Sequence, residues 1–190
     1  MKNSPNSNMY MASADIVWEK YDGALAGCYA GLWCVVSDTP LTAPAKNALE
    51  KSAEALGYKK DACTYVVLAR LGELAGARAD ASESATINGG ASANANMDTN
   101  MDASANASAS ANANTLFEIV EGIDPLCVVA TDVTSIQTLG ATYTTRLTQN
   151  TYARLFGRDC VTFRDFSGMM NSPESKQRAW ALLKKLPHLK

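Results

Sequence analysis

The chain has 190 residues, of which 47% are hydrophobic and 19% charged, and its formal net charge is −2. This length predicts a single domain, and the small net charge excludes the class of proteins that attract nucleic acid through an overall positive field. No apolar run approaches the roughly 18 residues that a membrane helix needs.

The chain begins with a polar segment. Residues 1–14 contain no basic stretch leading into an apolar run, so they predict a disordered tail without a secretory signal. We therefore expect a cytoplasmic protein without a membrane partner, whose residues 15–190 form one domain.

Short apolar runs alternate with amphipathic segments along that domain. We predict strands at Gly31–Val36, Cys63–Leu68, Leu126–Ala130 and Cys160–Phe163, with an edge strand at Thr142–Leu147. We predict helices at Asp15–Gly27, from Pro44 to Gly57, from the Thr115/Glu118 capping box to Ile123, after Asp132, and from Pro173 to Pro187. This order predicts a three-layer α/β/α domain with a mainly parallel central sheet of about four strands. The strand order stays open among doubly wound folds.

A low-complexity tract interrupts the domain. Residues from about 75 to 114 are almost all Ala, Ser, Asn, Gly and Asp. Such a tract has too little large apolar surface to offset the entropy of ordering it. We expect a disordered surface insertion whose alanines tolerate transient helix.

Two polar turns follow predicted strands and are the candidate ligand-binding segments. The first contains Ser37, Asp38, Thr39 and Pro40, and it follows an apolar strand. In open parallel sheets, ligands bind at this carboxyl edge. The second contains Arg164, Asp165, Phe166 and Ser167. Asp38 could equally cap the following turn, and Asp165 could form an ion pair with Arg164.

The cysteine and histidine content favours neither a metal site nor a cofactor. The five cysteines are widely spaced and no C-x-x-C pair occurs, so we expect reduced, buried thiols rather than a metal site or an iron–sulfur cluster. His188, the single histidine, is expected to be exposed near the C-terminus.

The C-terminal segment carries a resemblance to a known family. The run NSPESKQRAWALLKKL resembles the last helix of the uracil-DNA glycosylase superfamily, particularly its iron–sulfur branch. Other segments resemble that family in matching order: LWCVVSDTPL, APAKNALEKSAEALGY, CTYVVLARL and LFEIVEGIDPLCVVATDVTSIQTL. The resemblance implies a glycosylase-like fold and DNA or a nucleobase as the ligand.

The chain departs from that family at the positions that carry the chemistry. Asp38 and Thr39 replace the usual residues of the first turn, and Val66 falls where the family has a base-reading Asn. Asp165 falls on the position of the histidine in the last turn. A carboxylate there has the wrong sign to stabilise a departing base anion. The cluster cysteines have no equivalents.

Three hypotheses follow from these observations. The first is a glycosylase-like domain without standard uracil excision that binds nucleic acid or a protein. The second is an active glycosylase of altered base specificity, with Asp38 as the group that positions water and Asp165 as a further catalytic candidate. The third is a nucleobase or nucleotide binding protein. In each case the ligand-binding candidates are Ser37, Thr39, Pro40, Arg164, Phe166 and Ser167.

Overall fold

The computed structural model describes residues 14–29, 31–74 and 101–189, and of residues 101–111 it describes the backbone alone. The helices in these ranges are α1 (Ala14–Tyr21), α2 (Ala43–Ala55), α3 (68–74), α4 (Met101–Ile123), α5 (Val133–Thr142), α6 (Phe166–Met169) and α7 (Pro173–Leu183). The strands are β1 (Leu25–Gly27), β2 (Trp33–Ser37), β3 (Cys63–Val67), β4 (Cys127–Ala130), β5 (Thr151–Leu155) and β6 (Arg158–Thr162). The expected disordered tail lies outside the described residues, apart from Ala14.

All six strands join one mixed sheet in the order β1-β3-β2-β4-β6-β5. The inner strands β3, β2, β4 and β6 run parallel, whereas β1 and β5 pair antiparallel at the two edges. The α/β class is therefore confirmed. The predicted number of about four strands is too low, because each edge of the sheet carries an additional antiparallel strand.

Helices cover both faces of the sheet because the inner strands are apolar on both sides. On β2, Cys34 and Val36 join a core with residues of α1, α4 and α5, while Trp33 and Val35 join a second core with residues of α2 and α7. All four side chains are fully buried. The chain thus forms three layers with a separate core on each face of the sheet.

Both edge strands were misassigned from the sequence. The helix predicted at Asp15–Gly27 ends at Tyr21, and its last residues form β1. The edge strand predicted at Thr142–Leu147 is wrong, since α5 extends to Thr142 and the edge strand is β5. The β5–β6 hairpin was missed because its two-residue turn is Phe156-Gly157, not the Asn-Gly or Asp-Gly that signals such turns.

Helix α4 begins inside the low-complexity tract. It is continuous from Met101 to Ile123, so Thr115 lies within a helix and does not cap one. The prediction of disorder is therefore wrong for residues 101–114, where high-propensity alanines continue a helix that is anchored by its buried C-terminal half. Residues 75–100 of the tract lie outside the described part of the chain.

Two predicted helix starts are present with their caps. The Asp132 side chain accepts a hydrogen bond from the Ser135 amide at the start of α5, and Ser172 accepts one from the Ser175 amide at the start of α7. Pro173 occupies the first turn of α7, where a missing N–H costs nothing. The predicted end at Pro187 is a few residues late, since α7 ends at Leu183.

Candidate functional site at the carboxyl edge of the sheet

Strands β2, β4 and β6 are parallel neighbours, so their carboxyl ends lie at the same edge of the sheet. The turns that follow them begin at Asp38, Thr131 and Phe163. Connections from β2 and β4 leave toward opposite sides, which makes the point between them the usual ligand crevice of an open α/β sheet. The two candidate turns therefore lie at the same edge, on either side of β4.

Asp132 links the three turns. Its Oδ2 accepts a hydrogen bond from the Asp38 backbone N–H at 2.8 Å, and its Oδ1 accepts one from the Ser135 N–H at 2.8 Å. An isolated antiparallel bridge pairs Asp132 with Asp165, and the Phe166 N–H donates to the Thr131 carbonyl at 2.9 Å. Sequence analysis identified Asp132 only as a helix cap. The signal that could have shown its wider role is its position two residues after the end of β4, an inner strand.

The first candidate turn is held by its backbone. The Asp38 N–H donates a hydrogen bond to the Asp132 carboxylate, and the Asp38 carbonyl accepts one from the Ala69 N–H at 3.0 Å. The Asp38 side chain is half-buried, and within the described residues no hydrogen-bond partner of its carboxylate is found. Thr39 and Pro40 are exposed, whereas Ser37 is buried at the end of β2.

The second candidate turn performs structural tasks. The Asp165 carboxylate caps α6 by accepting a hydrogen bond from the Gly168 N–H at 2.8 Å. The ion pair suggested between Arg164 and Asp165 is not among the salt bridges of the described residues. Phe166 is fully buried, with its ring centroid 4.9 Å from that of Phe163. The Phe166 side chain therefore packs in the hydrophobic core.

In the part of the chain that the structure describes, five of the candidate residues are divided among three cavities. Ser37 and Pro40 line a small cavity of about 160 Å³, which we call the edge pocket. Arg164 and Asp165 line an open cavity of about 750 Å³ beside α7, which we call the basic groove. Phe166 lines a cleft of about 450 Å³ between α2 and α7, which we call the α2–α7 cleft. Of the described residues that line these three cavities, none is Asp38, Thr39 or Ser167.

The basic groove gathers the positive charge of this region. Its lining includes the cations Arg164, Arg178 and Lys185 and the single carboxylate of Asp165. All three cationic side chains are exposed. In the part of the chain that the structure describes, no carboxylate lies within 4.0 Å of any of them. The Asn150 side chain completes one end of the groove and accepts a hydrogen bond from the Arg164 N–H at 3.1 Å.

Four of the five cysteines lie buried in the inner strands, whereas Cys28 is half-buried. Burial raises the pKa of Cys34, Cys63 and Cys160 to about 12 and that of Cys127 to about 11. Such thiols stay protonated near neutral pH and are poor nucleophiles and ligands. Among the described residues, no group of three or more His, Cys, Asp or Glu side chains is arranged to hold a metal ion. Within the same ranges, every helix is too short or too polar to cross a membrane.

Comparison of the chain with protein-family models and with curated proteins found no match in either case. The resemblance to uracil-DNA glycosylases therefore depends on the sequence segments alone.

Proposed function

We propose that this chain is a uracil-DNA-glycosylase-like domain that lacks standard uracil excision and binds nucleic acid through the basic groove. The supporting observation is local charge. Three exposed cations without a carboxylate partner among the described residues line one open groove, although the whole chain carries a net charge of −2. Arginine and lysine side chains in such a groove suit the phosphates of a nucleic-acid backbone.

Three features favour binding over base excision. Asp165 is occupied in capping α6, and Asp38 lines none of the three cavities. Val66, which stands where the resemblance expects a base-reading Asn, is fully buried in the core. A flipped base needs a pocket that hydrogen-bonds its edge, and these residues do not supply one.

Fluorescence anisotropy with labelled single- and double-stranded DNA tests the proposal. Contacts from three cations predict a slope of the logarithm of affinity against the logarithm of salt concentration of roughly −2 to −3. Removal of one cation should weaken binding and make the slope less negative by about 0.7–0.9. The three variants that test this are Arg164→Gln, Arg178→Gln and Lys185→Gln. Lys59→Gln and Lys60→Gln are matched controls, since these exposed lysines line none of the three cavities.

Two results would remove the proposal. One is the absence of salt-dependent binding to either form of DNA. The other is an equal loss of affinity in the Lys59 and Lys60 controls, which would indicate attraction to any surface cation instead of the groove.

A second candidate function uses Asp38. Its half-buried carboxylate has no hydrogen-bond partner among the described residues, so an oxygen is free to orient a water molecule. On this hypothesis the chain is a glycosylase of altered base specificity. Incubation with oligonucleotides containing uracil, hypoxanthine or xanthine should then release an abasic product, and Asp38→Asn should abolish it. Product that persists in Asp38→Asn, or no product from any substrate, rules the hypothesis out.

A further inference from the structure

The α2–α7 cleft lies on the other flank of α7 from the basic groove. One wall is formed by two neighbouring pairs on α2, Asn47 with Ala48 and Lys51 with Ser52, which lie four residues apart and therefore on the same face of the helix. The opposite wall is the face of α7 with Lys176, Ala179, Trp180 and Leu183, at the same spacing. The cleft is therefore lined by one face of α2 and one face of α7.

Small side chains keep this space open. Ala48 and Ser52 on α2 face a wall that includes Ala179, so the facing positions lack the bulk to close the gap. The Ser52 hydroxyl is turned back to the Ala48 carbonyl at 2.7 Å. The resulting volume of about 450 Å³ lies within the range of small-molecule sites.

The interior of the cleft is apolar. Phe166 and Met170 line it together with Leu183, and Phe166 and Leu183 are almost completely buried. Trp180 is half-buried and adds an aromatic surface, while methionine adapts to ligands of irregular shape. These residues suit an apolar body.

The charge of the cleft is positive. Lys51 on α2 and Lys176 on α7 are exposed, and the lining includes no carboxylate. Among the described residues, no carboxylate approaches within 4.0 Å of either ammonium group. One cation on each wall above an apolar interior is complementary to a ligand with an apolar body and an acidic head.

We propose that the α2–α7 cleft binds a small amphipathic anion, with the apolar body against the half-buried Met170 and Trp180, above the buried Phe166, and the acidic head at Lys51 and Lys176. This site is separate from the basic groove, because among the three cavities of the described residues Lys51 and Lys176 line the cleft alone, and Arg164 and Arg178 line the groove alone. It also does not depend on nucleic-acid binding.

Titration with anilinonaphthalene sulfonate, an aromatic anion that fluoresces in apolar sites, tests the proposal. We expect saturable binding of one probe molecule, displaced by decanoate but not by the neutral decanol. Lys51→Met and Lys176→Met should each weaken binding by about fivefold, the upper value for one exposed ion pair. Lys59→Met is the matched control and should leave the affinity unchanged.

A substitution that fills the cleft provides a second test of the proposed site. Ala48→Phe places a ring in the cleft and should abolish probe binding while DNA binding remains. Thermal unfolding and near-ultraviolet circular dichroism establish that each variant is folded. If Lys51→Met and Lys176→Met bind the probe as the parent does, or if decanol competes as well as decanoate, the proposed site is wrong. Loss of binding in Arg178→Gln but not in the lysine variants would place the probe in the basic groove and overturn it as well.

Discussion

Replacement of Asp132 by alanine removes the side chain that joins the turns at the carboxyl edge of the sheet. In the parent protein its carboxylate accepts hydrogen bonds from the Ser135 N–H and the Asp38 N–H, both at 2.8 Å. Alanine leaves the first turn of α5 uncapped and the Asp38 N–H without this acceptor. We expect a clear loss of stability and a more mobile first candidate turn.

The magnitude follows from these two backbone bonds, since the Thr131 hydroxyl, which also donates to Asp132 at 3.2 Å, keeps the Val36 carbonyl as an acceptor. Loss of a helix cap costs about 1 kcal/mol, and loss of a hydrogen bond to a charged acceptor costs about 1.5 kcal/mol or more. Because Asp132 is half-buried, we take the lower end and expect a decrease of about 2–3 kcal/mol in the free energy of unfolding. For a chain of this size, that corresponds to a fall in Tm of roughly 5–10 °C.

Urea unfolding followed by circular dichroism measures the change, and two variants divide it. Asp132→Asn keeps a good cap but offers only one oxygen, so we expect about half of the loss. Asp165→Ala is the matched control, because Asp165 is exposed and caps only the four-residue helix α6. A stability of Asp132→Ala within about 0.5 kcal/mol of the parent would refute the reasoning, as would equal losses in Asp132→Asn and Asp132→Ala.

Two further predictions concern the hairpin and the buried thiols. Phe156 is 76% exposed and has φ 50° in the β5–β6 turn, a conformation that costs a residue other than Gly or Asn roughly 1–2 kcal/mol. Phe156→Asn relieves this cost but loses the contact with the Tyr143 ring, whose centroid lies 6.0 Å away and which contributes about 0.5 kcal/mol. The free energy of unfolding should therefore rise by roughly 0.5–1 kcal/mol in urea titrations, and an unchanged or lower value would contradict this. Burial raises the pKa of Cys34, Cys63 and Cys160 from about 9.0 to about 12, so the unfolded chain loses these protons first. Stability should therefore be complete below about pH 9 and fall between about pH 9 and pH 12 under reducing conditions, with a shallower fall in Cys160→Ala; a flat profile across that window would contradict the assignment.

Much of the inner architecture could be predicted from local sequence. The runs GLWCVV, CTYVVL and LCVVA are apolar without alternation, which is the pattern of strands covered on both faces, and they form β2, β3 and β4. Helix α7 was predicted from the Ser172-Pro173 start because capping depends on residues that are adjacent in the chain.

The edge strands could not be predicted in the same way. Strand β1 has three residues and was hidden in a helical pattern, and β5 alternates in burial and carries polar side chains. Edge strands gain most of their stability from a neighbouring strand, so their own sequences contain a weak signal. The start of α4 at Met101 was also missed for a non-local reason. The buried residues that hold this helix against the core begin more than ten residues further along the chain, so the sequence near Met101 contains no sign of them.

For the candidate site, sequence alone determined which polar residues follow the inner strands, because a strand end is a local feature. Only the tertiary structure decided how these residues are used. It placed Ser37, Arg164 and Phe166 in three different cavities and made Asp132 the link between the turns. It also brought Arg164 close to Arg178 and Lys185 in one groove. The physical reason is that a cavity and its charge arise where distant segments meet, and no single segment contains that information.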